Sequence, residues 1–146
     1  MIAEPKVLPA NYEARFRPRL KHGHRERELD VAGEGGSQFR VILRESNFNV
    51  LDFSVILAVR HASTLFRLRR YNGRSHEHTN TLEHQTFYAF HIHTATARYQ
   101  DSGLREDTYA EPSDRFASFQ EAVECMIADC GFVLPEPEPA PQLRLL

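Results

Sequence analysis

Apolar and polar side chains alternate along residues 37–45, and this period of two constrains the fold more than any other feature of the chain. In an extended strand, Phe39, Val41 and Leu43 point to one side, and most of the polar residues point to the other. A glycine-rich connection links this segment to residues 27–33. Two short extended segments joined in this way predict a β-hairpin.

Three further segments extend the hairpin into a sheet. Residues 50–60 are mostly apolar and β-branched, which is typical of a central strand. Residues 65–71 alternate again, and residues 86–94 form a predicted fifth strand with His91 and His93 on one side. Because short turns join the first four strands, the sequence predicts an antiparallel meander.

Two helices complete the predicted fold. A short helix is predicted within residues 95–103 and ends near Gly103. The C-terminal helix begins after Ser118, with Glu121 in a capping-box position, and Gly131 ends it. We therefore predict an α+β fold, in which an antiparallel sheet of about five strands carries the short helix and the C-terminal helix packed on one face.

The length of 146 residues suits one domain. Residues 1–14 contain Pro5 and Pro9 and are predicted to be loosely ordered, residues 15–133 to form the domain, and residues 134–146 to be a disordered Pro/Glu-rich tail. No stretch approaches the roughly 20 apolar residues of a membrane span, and the N-terminus lacks the apolar segment of a secretory signal. These features predict a cytoplasmic protein.

Charge is unevenly distributed along the chain. Residues 1–100 hold 15 basic and 10 acidic residues, and residues 101–146 hold 3 and 10, so balances of +5 and −7 give the net charge of −2. This asymmetry predicts either an acidic partner such as nucleic acid, or mutual neutralisation within the chain or across a homodimer. The basic stretch at residues 15–27 fits either a solvated edge strand or contact with phosphate.

Five of the eight histidines lie close together in sequence, and four of them form two His-x-His triplets. Rings two residues apart on a strand point the same way, so both can reach one metal ion. Without thiolate ligands nearby, the favoured ion is a zinc- or iron-like divalent metal. The candidate metal ligands are His76, His78, His91, His93 and Glu83.

Metal-free acid–base catalysis is the second chemical interpretation, because one imidazole can accept a proton while another donates one. The candidate catalytic residues are His91, His93, His76 and His78. Nearby arginines are suited to phosphate, and a tyrosine is placed to assist. The candidate substrate-binding residues are Arg67, Arg70, Arg74 and Tyr99. These sets predict a small His-dependent phosphodiesterase of the ribonuclease type, toxin-like in style.

Two alternatives involve no catalysis. The histidines form a hydrogen-bonded patch, or the chain is a binding module that contacts nucleic acid or a protein partner through its arginine-rich strands. The charged segment at residues 105–116 is open to two interpretations as well. It is a solvated connector, or it folds back over the fifth strand and brings Glu111 or Asp114 to the histidines.

Three long motifs carry a family resemblance: LRRYNGRSHEHTN, FHIHTATARYQ and REDTYAEPSDRF. Through them the chain resembles an uncharacterised bacterial family, a domain of unknown function, from about Leu29 to Phe132. The resemblance implies a bacterial source and a compact single domain. It implies no activity, so functional expectations rest on the residues themselves.

Overall fold

The computed structural model describes residues 1–136. Its strands are β1 Lys6–Val7, β2 Arg17–Lys21, β3 His24–Ala32, β4 Gln38–Ser46, β5 Phe53–His61, β6 Thr64–Asn72, β7 His78–Asn80, β8 Gln85–Phe87, β9 His91–Thr94, β10 Ala110–Pro112 and β11 Phe132–Val133. Its helices are a 3-10 turn at Tyr12–Arg15, α1 at Ala97–Asp101 and α2 at Phe119–Asp129. Seven strands form one antiparallel sheet in the order β10-β9-β6-β5-β4-β3-β2.

The alternating segments form the centre of this sheet. Phe39, Val41 and Leu43 are buried on one face of β4, and Val55 and Leu57 are buried beside them on β5. The prediction of an α+β fold with an antiparallel sheet is confirmed. The sheet is larger than predicted, because β2 and β10 add a strand at each edge.

The predicted fifth strand at residues 86–94 is divided in two, which corrects the prediction of one continuous strand. β8 ends at Phe87 and pairs only with β7, whereas β9 begins at His91 and pairs with β6 and β10. Alternation continues through the break, so the sequence pattern does not reveal it. The division frees β7 and β8 to form a separate hairpin.

Both predicted helices are present. The hydroxyl of Ser118 accepts the main-chain hydrogen bond of Glu121 at the start of α2, as the capping box predicts. Ala122 and Met126 of α2 are buried in the same hydrophobic core as Val41 of the sheet. Within residues 1–136, no helix is both long and apolar enough to cross a membrane.

The N-terminal residues are more ordered than their prolines led us to expect. β1 pairs in parallel with β11, and the side chain of Lys6 is fully buried. This pairing joins distant parts of the sequence, so local composition cannot predict it. The predicted disorder of the tail falls, from residue 137 onward, outside the described residues.

Candidate metal centre

The centre lies on the outer face of β6 and β9. Antiparallel pairing sets Arg70 opposite His93 and Asn72 opposite His91 on that face. The intervening pair, Tyr71 and Ile92, faces the hydrophobic core. Each of the two histidines is only 3 % exposed. His91 and His93 therefore lie on the same face of β9, as predicted.

The hairpin of β7 and β8 brings a third imidazole to this face. The ring centroid of His78 lies 5.2 Å from that of His91 and 4.8 Å from that of His93. One ring nitrogen from each of the three histidines lies within 4.8 Å of the other two. The loop after β6 begins at Gly73, where any side chain would clash with the main-chain oxygen of Leu51. The first His-x-His triplet thus contributes one imidazole to this cluster, and the second contributes two.

Main-chain carbonyl groups fix the protonation of two of these rings. Nδ1 of His91 lies 2.7 Å from the oxygen of Ala89, and Nδ1 of His93 lies 2.9 Å from the oxygen of Asp107. A carbonyl oxygen only accepts hydrogen bonds, so each Nδ1 carries the proton and each Nε2 keeps a lone pair. In metal-bound histidines, the ring nitrogen that does not bind the ion usually donates to an acceptor of this kind. The amide nitrogen of Asn72 lies 3.3 Å from Nε2 of His93.

Burial keeps both imidazoles neutral. It lowers the pKa of His91 to about 4, against the opposing effect of the hydrogen bond to Ala89. It lowers the pKa of His93 to about 2, and the charge of Arg70 lowers that pKa further. Neutral imidazole is the form that binds metal ions. At neutral pH neither ring holds the extra proton that a general acid donates.

Beside the three rings is a cavity of about 180 Å³. It is lined by Arg70, Asn72, His76, His78, His91, His93, Arg105, Asp107 and Thr108. The hydroxyl of Ser75 lies 2.9 Å from Nδ1 of His76, which lines the cavity but is not one of the three converging rings. All four histidines of the two triplets thus line this cavity.

Guanidinium groups surround one buried carboxylate in this cavity wall. Asp107 is 1 % exposed, and its Oδ2 has no hydrogen-bond partner within residues 1–136. Nε of Arg70 lies 3.6 Å from that oxygen, Nη1 of Arg67 lies 3.9 Å from it, and Nε of Arg105 lies 3.7 Å from Oδ1. Three cations around one anion leave an excess of positive charge, which favours an anionic ligand.

Other predicted site residues have different neighbours. The hydroxyl of Tyr99 donates to the carboxylate of Glu83 at 2.6 Å, and Arg98 pairs with the same carboxylate. Glu83 and Tyr99 therefore bind each other rather than the three histidines. The guanidinium of Arg74 lies over the rings of Tyr88 and Phe90, at 5.8 Å from each centroid. Arg67 reaches Asp107 but does not line the cavity.

The predicted sets of site residues did not include Asn72, Arg105, Asp107 or Thr108, although Asp107 is among the acidic residues that the sequence offers as partners of the histidines. Alternation could have identified Asn72, because it follows Arg70 by two residues and shares its face. The segment at residues 105–116 does return to the fifth strand, as one interpretation proposed, and β10 pairs with β9. However, the carboxylate it brings is that of Asp107. Glu111 and Asp114 line a different cavity, with Arg69.

The basic edge strand is largely neutralised by its neighbour. Arg17 of β2 pairs with Glu28 and Asp30, and Arg19 pairs with Glu26 and Glu28. These pairings favour the solvated edge strand over phosphate contact at β2.

A scan against models of protein families found no match, and neither did searches of curated proteins and of solved structures. The resemblance to an uncharacterised bacterial family stays a prediction. The geometry of the centre is therefore the basis for assigning a function.

Proposed function

We propose that the protein is a metal-dependent phosphodiesterase in which His78, His91 and His93 bind one divalent ion. The observation that carries the proposal is the convergence of three imidazoles within 4.8 Å. Two of them are held by main-chain acceptors that leave a lone pair on Nε2. A hydrogen-bonded patch without an ion needs no such convergence.

Three protein nitrogens suit a catalytic zinc-like site, which keeps a further coordination position for water. If the three histidines held such an ion, it would supply a nucleophile near neutral pH by lowering the pKa of a bound water. The water oxygen would bond to phosphorus as the bond from phosphorus to the leaving oxygen breaks, and the proton released by water would end on that leaving oxygen. One diester and one water would thus give a monoester and an alcohol.

The arginines favour a phosphate-containing substrate. Arg70 and Arg105 line the same cavity as the three imidazoles, and Thr108 also lines it. Guanidinium groups bind phosphate oxygens through charge-assisted hydrogen bonds. A nucleic-acid backbone supplies such a phosphodiester, and RNA is the substrate that we propose.

The metal-dependent mechanism is preferred to metal-free acid–base catalysis by His91 and His93. Both Nδ1 atoms are engaged by main-chain oxygens, and both rings are buried and neutral. The non-catalytic binding module is supported less well, because the cations of β2 already pair with acidic residues of β3.

Elemental analysis of untagged protein, combined with cleavage of RNA and of a nitrophenyl phosphodiester, tests the proposal. We expect one ion per chain and metal-dependent product formation. Alanine at His78, His91 or His93 should abolish both, and alanine at the exposed His61 is the matched control. Cleavage without metal would restore the acid–base mechanism. Salt-sensitive RNA binding without product would indicate the binding module.

A further inference from the structure

Asn80 is buried two residues after His78 on the same strand, with 1 % of its surface exposed. Its side-chain amide faces the main chain of Ala110 on β10. Nδ2 donates to the oxygen of Ala110 at 2.7 Å, and Oδ1 accepts from the nitrogen of Ala110 at 2.9 Å. Only one orientation of the amide satisfies both bonds, so the position of Oδ1 is fixed.

That oxygen determines which nitrogen of His78 carries the proton. Nε2 of His78 lies 2.9 Å from Oδ1 of Asn80. Because an amide oxygen only accepts, Nε2 must be the protonated nitrogen of the neutral ring, and Nδ1 keeps the lone pair. This is the opposite tautomer to that of His91 and His93, whose Nδ1 atoms face carbonyl oxygens.

We propose that Asn80 is a positioning residue, which holds His78 in the tautomer that presents Nδ1 to the ion. The ion of the proposed centre is then bound by one Nδ1, from His78, and two Nε2, from His91 and His93. This inference rests on the proposed function and states which ring nitrogens would bind the ion. Partners of this kind typically change metal affinity by about 10- to 100-fold when they are removed.

A purely structural role for Asn80 makes a different prediction, because its amide also fastens the hairpin of β7 and β8 to β10. Asn80→Ala removes the acceptor of His78 and both bonds to Ala110. Asn80→Asp keeps an acceptor for His78 but loses the donor to the oxygen of Ala110. If only the fastening matters, both variants lose metal affinity, since each weakens the attachment to β10. If the tautomer matters, Asn80→Asp retains metal affinity.

The test combines nitrogen NMR of the metal-free protein with cadmium NMR after addition of cadmium as the probe. In the wild type we expect His78 to be protonated at Nε2, and cadmium to couple to its Nδ1. Asn80→Ala should mix the two tautomers and weaken cadmium binding by about 10- to 100-fold, while Asn80→Asp stays close to the wild type. Thr79→Ala, which removes the cross-strand contact with Thr86, is the control for a loosened hairpin.

Three results overturn the inference while the proposed metal centre stands: cadmium coupled to Nε2 of His78, comparable losses in both Asn80 variants, or wild-type His78 protonated at Nδ1. The protonation of His78 is measured in the wild type, so this result tests the inference even if Asn80→Ala does not fold. Failure of the proposed function has a different signature. Cadmium would then couple to none of the three histidines, and this also overturns the coordination by Nδ1.

Discussion

The ammonium group of Lys6 donates a hydrogen bond of 2.6 Å to the main-chain oxygen of Cys130, at the end of α2. It donates two more, to the oxygens of Ile2 and Glu4, and lies 4.2 Å from the centroid of the Phe39 ring. Burial lowers the pKa of this lysine. The ammonium thus ties the N-terminal residues to the C-terminal end of the domain.

Lys6→Met should destabilise the protein by about 2 to 4 kcal/mol, because it leaves buried carbonyl oxygens without a donor. Urea unfolding measures the change. Lys21→Met, on the exposed edge strand, should stay within about 0.5 kcal/mol of the wild type. Equal stability of the two variants would contradict this role for Lys6.

Zinc should stabilise the folded chain, because the three imidazoles converge only in the folded state. At free zinc of about 100 times the Kd, mass action adds about 2.7 kcal/mol to the free energy of unfolding. Thermal unfolding with and without a chelator measures the effect. His93→Ala should abolish the zinc-dependent rise in Tm, whereas His61→Ala should retain it. A rise of the same size in both variants would argue against this centre.

Acid should destabilise the metal-free protein through His91 and His93. Their folded-state pKa values, about 4 and about 2, lie below the ordinary value of 6.5, so unfolding takes up protons as the pH falls below 6.5. Stability is therefore complete above that pH and decreases below it, by about 1.4 kcal/mol per pH unit for each histidine.

Urea titrations between about pH 5 and pH 6.5 would measure this slope before most carboxylates titrate. His93→Asn should remove about half of it, since His91 then contributes alone. His61→Asn is the exposed control and should leave the slope unchanged. A free energy of unfolding that does not vary over this interval would contradict the burial of two neutral rings.

Arg70→Met should lower kcat/KM for a phosphodiester by about 10- to 100-fold, because it removes charge-assisted hydrogen bonds to the substrate. Metal content should be unchanged. Arg74→Met is the matched control, since Arg74 lies over aromatic rings outside the cavity. If both variants lose activity equally, the phosphate is bound elsewhere.

Alternation predicted the strands that carry the centre, and it placed His91 and His93 on one side of β9. Strict alternation fails in β6, where a register shift in the pairing with β5 puts both Leu68 and Tyr71 in the core and Arg70 on the opposite side. The break between β8 and β9 escaped prediction, since Phe87 and His91 obey the same alternation on either side of it. Only the strands that pair with β8 and with β9 differ, and the local sequence does not specify which strands pair with each other.

The buried carboxylate of the centre could not be chosen from the sequence either. The segment at residues 105–116 is rich in acidic residues, and the structure buries Asp107 while leaving Glu111 exposed. This outcome depends on the register between β9 and β10, which pairs Ala110 with His93. Local propensity contains no information about that register.

In the paired parts of β6 and β9, side chains on one face pack in the hydrophobic core, and side chains on the other face form the centre. Removing one residue from the paired segments 69–72 or 91–94 would exchange the occupants of their two faces, so imidazoles would enter the hydrophobic core and Ile92 would face the proposed metal centre. The register shift of β6 beside Leu57 and Ala58 lies outside these paired segments. A library that varies the length of residues 69–72 or 91–94 should therefore yield unfolded chains, whereas changes of length in the connecting turns should be accepted.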